Sequence, residues 1–327
     1  MDMNKRQIPA FIIELLEYAR LAPSVHNTQP WHFKVNGSTV SLIAASDRFL
    51  KAGDPTQREL WISLGVCLET LLQAARGLGL HASIQSIQTD TINHPIANIT
   101  FTPTSQKAPD TLDILKNRHS YRGAMQPAQL PALLIENCRS VVSNLPGVSV
   151  SLLQDKVAIK YVAGFTYKGM RLALSSSEFR KELAELINYN WSSRRIGMHG
   201  FVLNHGAIGS IWEKWSIALG LDTKRKARVD QKKVLEASGL IFISTTGDVS
   251  SFWLNAGRAY MRVAMEVTKS GFAQSTLAAP IEAASFHEDI EKILQTTNRI
   301  QAMIRIGKPA HSNKRTSPRL SVDELLT

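Results

Sequence analysis

The sequence predicts an α+β fold in which buried helices pack against sheets, and it predicts two similar halves in one chain. Helical and strand-like hydrophobic periods alternate along most of the 327 residues. Two long apolar helices, one in each half, carry glycine pairs 14 residues apart, at Gly65 and Gly79 and at Gly257 and Gly271. A strand candidate follows each helix, which is the order expected of a repeated unit.

The first half opens with a helix and a hairpin. Apolar residues at helical spacing predict a helix over Ile8 to Leu21, and Pro23 stops it because proline lacks a backbone donor. The dipeptide Asn36-Gly37 favours a type I′ turn. The other predicted elements are strands over Trp31 to Val35 and Thr39 to Ile43, an all-round buried helix over Glu59 to Leu78, and strands over Ala82 to Ile87 and Ile96 to Phe101.

A stretch rich in Pro, Thr, Ser and Lys, Thr102 to Asp110, predicts a link to the second half. The expected division is therefore 1–110 and 111–327. The predicted elements of the second half are helices over Leu112 to Lys116, Gln126 to Ser143 and Trp253 to Lys269, strands over Val148 to Leu153, Leu240 to Ser244 and Ile304 to Gly307, and a tail over Lys308 to Thr327.

The halves differ in length because of one insertion. Gly65 and Gly257 lie 192 residues apart, whereas Arg20 and Arg139, in the earlier pair of similar helices, lie 119 apart. The second half therefore carries about 73 extra residues, roughly 164–233, and a long insertion of this kind is often a lid or cap. The alternative is that two unrelated helices are similar by coincidence.

The charge balance is basic, with 38 Lys and Arg against 27 Asp and Glu. Nucleic-acid binding is one interpretation, but the cations are spread out and the dense cluster Lys224-Arg225-Lys226-Ala227-Arg228 fits a solvated helix face equally well. No helix-turn-helix, zinc-finger or ribonucleoprotein pattern accompanies it. A basic pocket for a phosphorylated cofactor explains part of the excess, so we expect no nucleic-acid partner.

The apolar patterns of the sequence also bear on the cellular compartment and on contact with a membrane. Cys67 and Cys138 lie inside apolar helical patterns, which predicts buried, reduced thiols. The stretch from Met1 to Gln7 lacks the apolar core of a signal peptide, and no apolar run is long enough to span a bilayer. We therefore expect a cytoplasmic protein without a membrane partner.

The stretch from Ala22 to Phe33 is the strongest candidate for a ligand-contact loop. It reads Ala-Pro-Ser-Val-His-Asn-Thr-Gln-Pro-Trp-His-Phe, a polar turn braced by a helix, two prolines and a tryptophan. Judged by the chemistry of its residues alone, the stretch is better explained as an ordinary helix-to-strand connection than as a ligand-contact loop.

The longer run from Ala19 to Trp31, Ala-Arg-Leu-Ala-Pro-Ser-x-x-Asn-x-Gln-Pro-Trp, resembles the signature of the nitroreductase family of flavoproteins. The resemblance implies that Ser24 and Asn27 contact flavin mononucleotide (FMN), with Pro23 and Val25 contributing backbone. Members of the family are typically homodimers that hold each flavin between subunits. The segment Arg118-His119-Ser120-Tyr121-Arg122 resembles the basic motif that the second subunit supplies.

Each of these two motifs occurs in one half only, the loop in the first and the basic motif in the second. The chain therefore resembles the single-chain, tandem (Acg-like) branch of the family, a pseudo-dimer in which one of two sites has decayed. This implies a nitroreductase-like fold with one FMN at the seam. The residue types fit a phosphate, because Arg118 and Arg122 offer forked, permanently charged donors and Ser120 adds a hydroxyl. The alternative for such a triplet is a surface charge cluster.

Further matches to the family are shorter. The resemblance implies that Pro280, Ile281 and Glu282 form the segment whose backbone amide faces flavin N5, and that Lys233 is a cation at the pyrimidine edge. A plain loop and a solvated lysine are the alternatives. The segment Ser317-Pro318-Arg319-Leu320 resembles the family's C-terminal basic motif, with the first of its two cations replaced by Ser317. Arg319 therefore corresponds to the second cation, and Arg315 is expected to compensate for the missing first one.

The histidines show no metal-ligand spacing, so we expect no metal; His119 is expected to contact the flavin. The resemblance implies an NAD(P)H oxidoreductase that passes hydride through FMN to a small electron acceptor, such as a nitroaromatic or a quinone, with no catalytic side chain. The alternative is a protein that sequesters FMN under a lid with little reductase activity. The sequence leaves the nicotinamide preference and any association of two chains open.

Overall fold

The computed structural model describes residues 8–311 and 316–327. Its helices are α1 (Ala10–Ala19), α2 (Arg58–Leu78), α3 (Asp110–Asn117), α4 (Leu134–Val142), α5 (Lys156–Ala173), α6 (Ser177–Glu185), α7 (Ala207–Ala218), α8 (Thr223–Leu235), α9 (Ser250–Lys269), α10 (Ala279–Glu282), α11 (Phe286–Ile293) and α12 (Val322–Leu325). Its strands are β1 (Trp31–Asn36), β2 (Thr39–Ala44), β3 (Leu80–Ile87), β4 (Ala97–Pro103), β5 (Met125–Gln126), β6 (Val148–Leu153), β7 (Ile187–Asn188), β8 (Met198–His199), β9 (Gly239–Thr245), β10 (Ala273–Thr276) and β11 (Arg299–Pro309).

The first half forms an antiparallel sheet in the order β1-β2-β4-β3. The predicted hairpin is confirmed, with Asn36 paired to Thr39. Its turn type was predicted wrongly. The two loop residues are Gly37 and Ser38, and of these only Gly37 has a positive φ, +57°. A type I′ turn needs a positive φ at both central residues, whereas glycine at the first central position is typical of type II′.

The second half forms another antiparallel sheet, in the order β10-β11-β9-β6, with β5 paired to β11. Every residue of β9 is buried, as its apolar run predicts. Strand β11 runs from Arg299 to Pro309 and is much longer than the predicted Ile304 to Gly307. The prediction stopped short because Gln301 and Arg305 are polar; both are buried, and partners elsewhere in the fold accept their hydrogen bonds.

Proline explains a second difference between prediction and structure. The helix predicted over Gln126 to Ser143 begins only at Leu134. Pro127 and Pro131 lie in the missing part, and proline cannot donate the backbone hydrogen bond that a helix interior requires. The preceding residues instead form the short strand β5.

The two long helices α2 and α9 pack against each other at the centre of the molecule. A Cβ added to Gly65 would lie 2.0 Å from the carbonyl oxygen of Leu254, and one added to Gly257 would lie 2.0 Å from that of Ile62. The same pair of positions is thus used twice, since Leu254 and Gly257 stand 192 residues after Ile62 and Gly65. Only glycine permits so close a backbone approach.

A buried charge cluster spans the same helix pair. Glu69 of α2 is fully buried, and its carboxylate accepts hydrogen bonds from Arg258 (3.1 Å) and Arg262 (2.7 Å) of α9. A buried carboxylate requires such partners because its desolvation is costly. These bonds and the glycine contacts join the first half to the second through side chains and backbone alike.

The residues predicted as an insertion, 164–233, do not all stand apart from the second half. Gly164 lies inside α5 and Lys233 inside α8, and both helices contribute to the apolar cluster that covers the second sheet. The part between these helices, residues 174–222, is called the cap segment below. It has a small apolar cluster of its own, formed by Ala184, Ile187 and Ile217.

Both cysteines are free and buried, as predicted. Burial raises the pKa of the Cys67 thiol well above its usual value and that of Cys138 to about 12. Because the thiolate is the reactive form, we expect neither cysteine to react with a thiol reagent such as Ellman's reagent while the chain is folded. Two thiols per chain should react after denaturation. Fast reaction of either thiol in the native protein would contradict this placement.

No helix in residues 8–311 and 316–327 is both long and apolar enough to cross a bilayer.

Candidate functional site

The loop after α1 has an unusual backbone. Three of four consecutive residues, His26, Asn27 and Gln29, adopt positive φ angles of 45°, 61° and 50°. Non-glycine residues rarely adopt this conformation, and such residues are concentrated at functional sites. The hydroxyl of Ser24 accepts a hydrogen bond from the Gln29 backbone N–H at 2.8 Å, which closes the loop. The Val25 N–H points towards Ser63 of α2, 3.4 Å away.

The basic segment that follows α3 lies along the second sheet. The Tyr121 N–H donates to the Gln274 carbonyl at 2.8 Å, and Ser120 forms an isolated parallel bridge with the same residue of β10. This fixes the segment's path, and its side chains meet the loop of the first half. The meeting point is a cavity of about 40 Å³, called the arginine cavity below, which is lined by Pro23, Ser24, Asn27, Arg118, His119, Ser120, Arg122, Thr316, Ser317 and Arg319.

The arginine cavity carries positive charge without a matching carboxylate. Its lining, within the described ranges, includes no Asp or Glu. Burial lowers the pKa values of Arg118 and Arg122, and burial together with the nearby charges of Arg118 and Arg122 lowers the pKa of Arg319 to about 9. Like charges held close together out of water favour the binding of an anion.

Arg118 gives the most direct indication that the cavity binds an anion. Its side chain is buried, and its Nε and Nη1 groups have no hydrogen-bond partner among the described residues. Its Nη2 lies 3.5 Å from the Leu21 carbonyl oxygen. Buried donors are nearly always paired, so two unpaired guanidinium donors beside a cavity point to a bound acceptor. The cavity has about three times the space that one water molecule needs.

Asn27 also lines the cavity, but its amide is engaged within the protein. Its Nδ2 lies within hydrogen-bond distance of the carbonyl oxygens of Arg195 (2.9 Å), Gly197 (2.9 Å) and Pro318 (3.1 Å). Its Oδ1 accepts from Arg319. Asn27 therefore joins the loop to the cap segment and to the C-terminal tail. The direct flavin contact predicted for its side chain would require one of these bonds to be exchanged.

Replacing Asn27 with alanine is expected to loosen both attachments, and to lower the free energy of unfolding by about 2 kcal/mol, because several buried hydrogen bonds are lost. Asn204→Ala is the matched control, since Asn204 also has a positive φ (65°) but is exposed. Urea denaturation measures both effects, and limited proteolysis should cut the Asn27→Ala protein faster. Equal losses in the two variants would show that backbone strain, and not the amide contacts, accounts for the effect.

Some functional candidates had no clear sequence signal. Met198 of the cap segment places its sulfur 3.5 Å from Arg122 Nη2, and Thr316 lines the cavity. His26 has a pKa of about 4, lowered by burial and by Arg122, so it is neutral at pH 7 and adds no charge. Met198 and Thr316 come from parts of the chain distant from the loop, which periodicity cannot pair with it, whereas His26 lies within the loop itself.

Arg305 could have been noticed, because an arginine within the apolar run of β11 is unexpected. It is fully buried, and its guanidinium donates to Tyr121 and Gly123 carbonyls at 2.9 Å. Burial lowers its pKa to about 10. It thereby fixes the backbone on either side of Arg122.

The structure brings eight of the fourteen predicted site residues to this cavity. The eight are Pro23, Ser24, Asn27, Arg118, His119, Ser120, Arg122 and Arg319. Four more are described but are not in its lining: Val25, Lys233, Pro280 and Ile281. Lys233 instead pairs with Asp230 at 2.8 Å, one turn away on α8. Arg315 lies outside the described residues.

Glu282, the remaining predicted residue, lies in a second polar cluster. Its carboxylate accepts from Arg58 Nη2 at 3.2 Å, at the start of α2. Burial, and next the neighbouring Glu59, raise its pKa well above the usual value. The predicted role of this segment concerned its backbone, and the hydrogen bond from Arg58 fixes the segment beside α2. In the described ranges, no group of three or more His, Cys, Asp or Glu side chains could hold a metal ion.

No family model matches the sequence. The chain is 23% identical over 323 residues to "Putative NAD(P)H nitroreductase acg" of Mycobacterium tuberculosis (strain CDC 1551 / Oshkosh), covering 95% of this chain and 93% of the relative. It is 40% identical over 70 residues, 21% of this chain and 20% of the relative, to another protein of that strain that is also named a putative NAD(P)H nitroreductase.

Solved structures with a similar arrangement include the FMN- and NADPH-dependent nitroreductase NfnB of sphigopyxis sp. strain HMH, with a TM-score of 0.42 and 15% identity over 66% of this chain and 96% of that one. NfnB of Mycobacterium smegmatis, in complex with NADPH, gives a TM-score of 0.42 and 13% identity over 64% and 94%. The similarity to acg extends along nearly the whole of both chains. Over that full length the chain is similar to a protein named as a putative NAD(P)H nitroreductase.

Proposed function

We propose that the chain is an FMN-dependent NAD(P)H oxidoreductase, and that the arginine cavity holds the phosphate of FMN. The observation that carries the proposal is the group of three arginines, the buried Arg118 and the partly buried Arg122 and Arg319, around a cavity whose described lining has no carboxylate. The two unpaired donors of Arg118 fit a phosphate, which offers several acceptor oxygens. The relative acg, which matches along nearly its full length, is itself named as a putative NAD(P)H nitroreductase.

In this proposal the side chains bind and orient the cofactor and none acts as an acid or base. Arg118, Arg122 and Arg319 hold the phosphate, with the hydroxyls of Ser24 and Ser120 and the backbone of Pro23 and His119 around them. Bound FMN would supply hydride transfer, accepting hydride from NAD(P)H and passing it to a nitroaromatic, quinone or similar acceptor. Arg305 keeps the segment around Arg122 in place through its bonds to Tyr121 and Gly123.

We further propose that residues 1–110 and 111–327 are two nitroreductase-like halves that imitate a dimer within one chain. The reciprocal contacts of α2 with α9 support this, because an isologous interface uses each pair of equivalent positions twice. A single arginine cavity then draws its loop from the first half and its cations from the second. Sedimentation should give the mass of one chain; a stable dimer that alone binds FMN would contradict the pseudo-dimer.

Two assays test the proposed function. The purified full chain, mixed with FMN and desalted, should retain a flavin absorbance band. The loaded protein should oxidise NADH or NADPH when a quinone or nitroaromatic is added. The control is the same protein mixed with riboflavin, a flavin that lacks the phosphate, and then desalted. A chain that does not retain FMN would rule out the proposal.

A second candidate function is FMN sequestration with little turnover, and the cap segment favours it. Arg195 and Gly197 of that segment accept hydrogen bonds from Asn27, and Met198 contacts Arg122. The segment therefore lies over the loop at the cavity. FMN retained without NAD(P)H oxidation would favour sequestration. The cytoplasm remains the proposed compartment, in keeping with the two free, buried cysteines.

A further inference from the structure

Helix α7 of the cap segment exposes most of its large apolar residues to solvent, Ile217 being the exception. The exposed fractions are 83% for Ile208, 38% for Ile211, 55% for Trp212, 54% for Trp215 and 65% for Leu219, which directly follows the helix. At 3.6 residues per turn these five side chains fall within an arc of about 100°. They form a continuous stripe, called the α7 stripe below.

The opposite face of α7 shows that this exposure is systematic. The side chains turned towards the rest of the chain include Ser210 and Ser216, which are fully buried, Ile217, which is nearly so, and Lys214, whose Nζ donates to the Ile187 carbonyl. An ordinary surface helix has the reverse arrangement, with its apolar face on the core. A continuous exposed apolar stripe marks an interaction site, whereas scattered apolar residues would need no explanation.

A strongly basic helix follows the stripe directly. Helix α8 begins four residues after Leu219 and carries six cations against a single acid, Asp230, which pairs with Lys233. Lys224, Arg225 and Arg228 are exposed, and within the described ranges none of them forms an ion pair with a carboxylate. The acid of α7, Glu213, is also neutralised, because Lys226 of α8 contacts it at 2.6 Å.

We propose that α7 and the start of α8 form a docking surface for an anionic phospholipid bilayer. The α7 stripe would lie in the boundary between headgroups and acyl chains, where tryptophan is favoured, and the α8 cations would contact the anionic headgroups. The helix lies on the membrane and does not cross it. The proposal changes the expectation of no membrane partner, which considered only spanning segments, and it does not depend on flavin binding.

The charges favour a lipid surface over other occupants. Two copies joined through the stripe around a twofold axis would bring the exposed cations of both α8 helices together, and each chain carries a formal charge of +11. A nucleic acid would match the cations but would leave Ile208, Ile211 and Leu219 without an apolar partner. An anionic bilayer complements the apolar and the charged parts of the surface together.

Vesicle co-sedimentation of the full chain tests the proposal. We expect binding to vesicles of phosphatidylcholine with phosphatidylglycerol, much weaker binding to phosphatidylcholine alone, and a loss of binding as salt is raised. Changing Trp212 and Trp215 to serine should weaken binding at least about tenfold, through the loss of buried apolar area. Leu133→Ser is a matched control, since Leu133 is 62% exposed and lies far from α7 in sequence.

A charge-matched pair of variants separates local from overall charge. Lys224→Gln with Arg225→Gln should weaken binding about 30-fold, because each cation near an anionic surface contributes about fivefold. Lys34→Gln with Lys51→Gln removes the same net charge from exposed positions in the first half and should change binding little. Circular dichroism of every variant checks that the fold is kept.

Three outcomes would overturn the proposal. Equal vesicle binding by the tryptophan variant and the parent chain would show that the α7 stripe does not contact the bilayer. A dimer that the tryptophan substitutions dissociate, with no vesicle binding by the parent, would assign the stripe to a second copy. Tight binding to an oligonucleotide without binding to vesicles would assign the α8 cations to nucleic acid.

Discussion

Replacing Gly65 or Gly257 with alanine is expected to lower the free energy of unfolding by roughly 3 kcal/mol or more in each case. The added Cβ would lie 2.0 Å from a backbone carbonyl oxygen of the opposing helix, so α2 and α9 would have to separate. Separation would also weaken the buried bonds of Glu69 to Arg258 and Arg262. Urea denaturation followed by circular dichroism measures the loss, and the reciprocal geometry predicts similar losses for the two variants.

Gly164→Ala is the matched control for these substitutions. Gly164 lies inside α5, and a Cβ added there would meet no atom within 4 Å. Alanine is favoured over glycine in a helix interior by about 1 kcal/mol, so this variant should be slightly more stable than the parent. Stability losses at Gly65 and Gly257 no larger than the effect at Gly164 would show that the helices do not pack as described.

Changing Arg118 and Arg122 together to alanine is expected to weaken FMN binding by about 10² to 10⁴-fold, since each bond to a charged group contributes about 1.5–3 kcal/mol. The unliganded protein should not lose stability to the same degree, because burial already lowers the pKa values of both arginines, and the charge of Arg118 lowers the pKa of Arg122 further. Removing a poorly paired buried charge is often neutral or stabilising. Flavin fluorescence titration and thermal denaturation without FMN measure the two effects.

Arg139→Ala is the control, because Arg139 lies on α4 and donates to the Val150 carbonyl at 3.2 Å, outside the cavity lining. It should leave FMN affinity unchanged. Riboflavin, which lacks the phosphate, should bind the parent chain and the double variant with similar affinity. Unchanged FMN affinity in the double variant would show that the phosphate site lies elsewhere.

Most elements of the fold could be predicted from local pattern. The helices α1, α2 and α9 and the strands β6 and β9 lie where hydrophobic spacing places them, within a few residues. The failures have local or distant causes. Pro127 and Pro131 shortened α4, a local signal that was overlooked, whereas β11 extends through Gln301 and Arg305 because distant groups satisfy those side chains.

The candidate site likewise contains residues that local motifs predicted and residues that only contacts between distant segments bring there. Three short motifs, around Ser24, Arg118 and Arg319, were sufficient to name eight lining residues. Met198 could not be named, because nothing in its local sequence indicates that it meets Arg122, whereas Thr316 directly precedes the motif that contains Arg319. Lys233 was placed at the site by motif position alone, and its pairing with Asp230 is a property of the α8 surface.

Local sequence was enough to predict the main elements, the glycines that allow two helices to meet and the three short motifs, because these depend on neighbouring residues and on the period of side chains along the backbone. Three further features could be seen only once the chain was folded: three arginines share one small cavity, the Asn27 amide bonds to carbonyl groups 168 and 291 residues away in sequence, and α7 presents its apolar side outward. These features arise from contacts between distant segments, whose geometry depends on the packing of the whole chain.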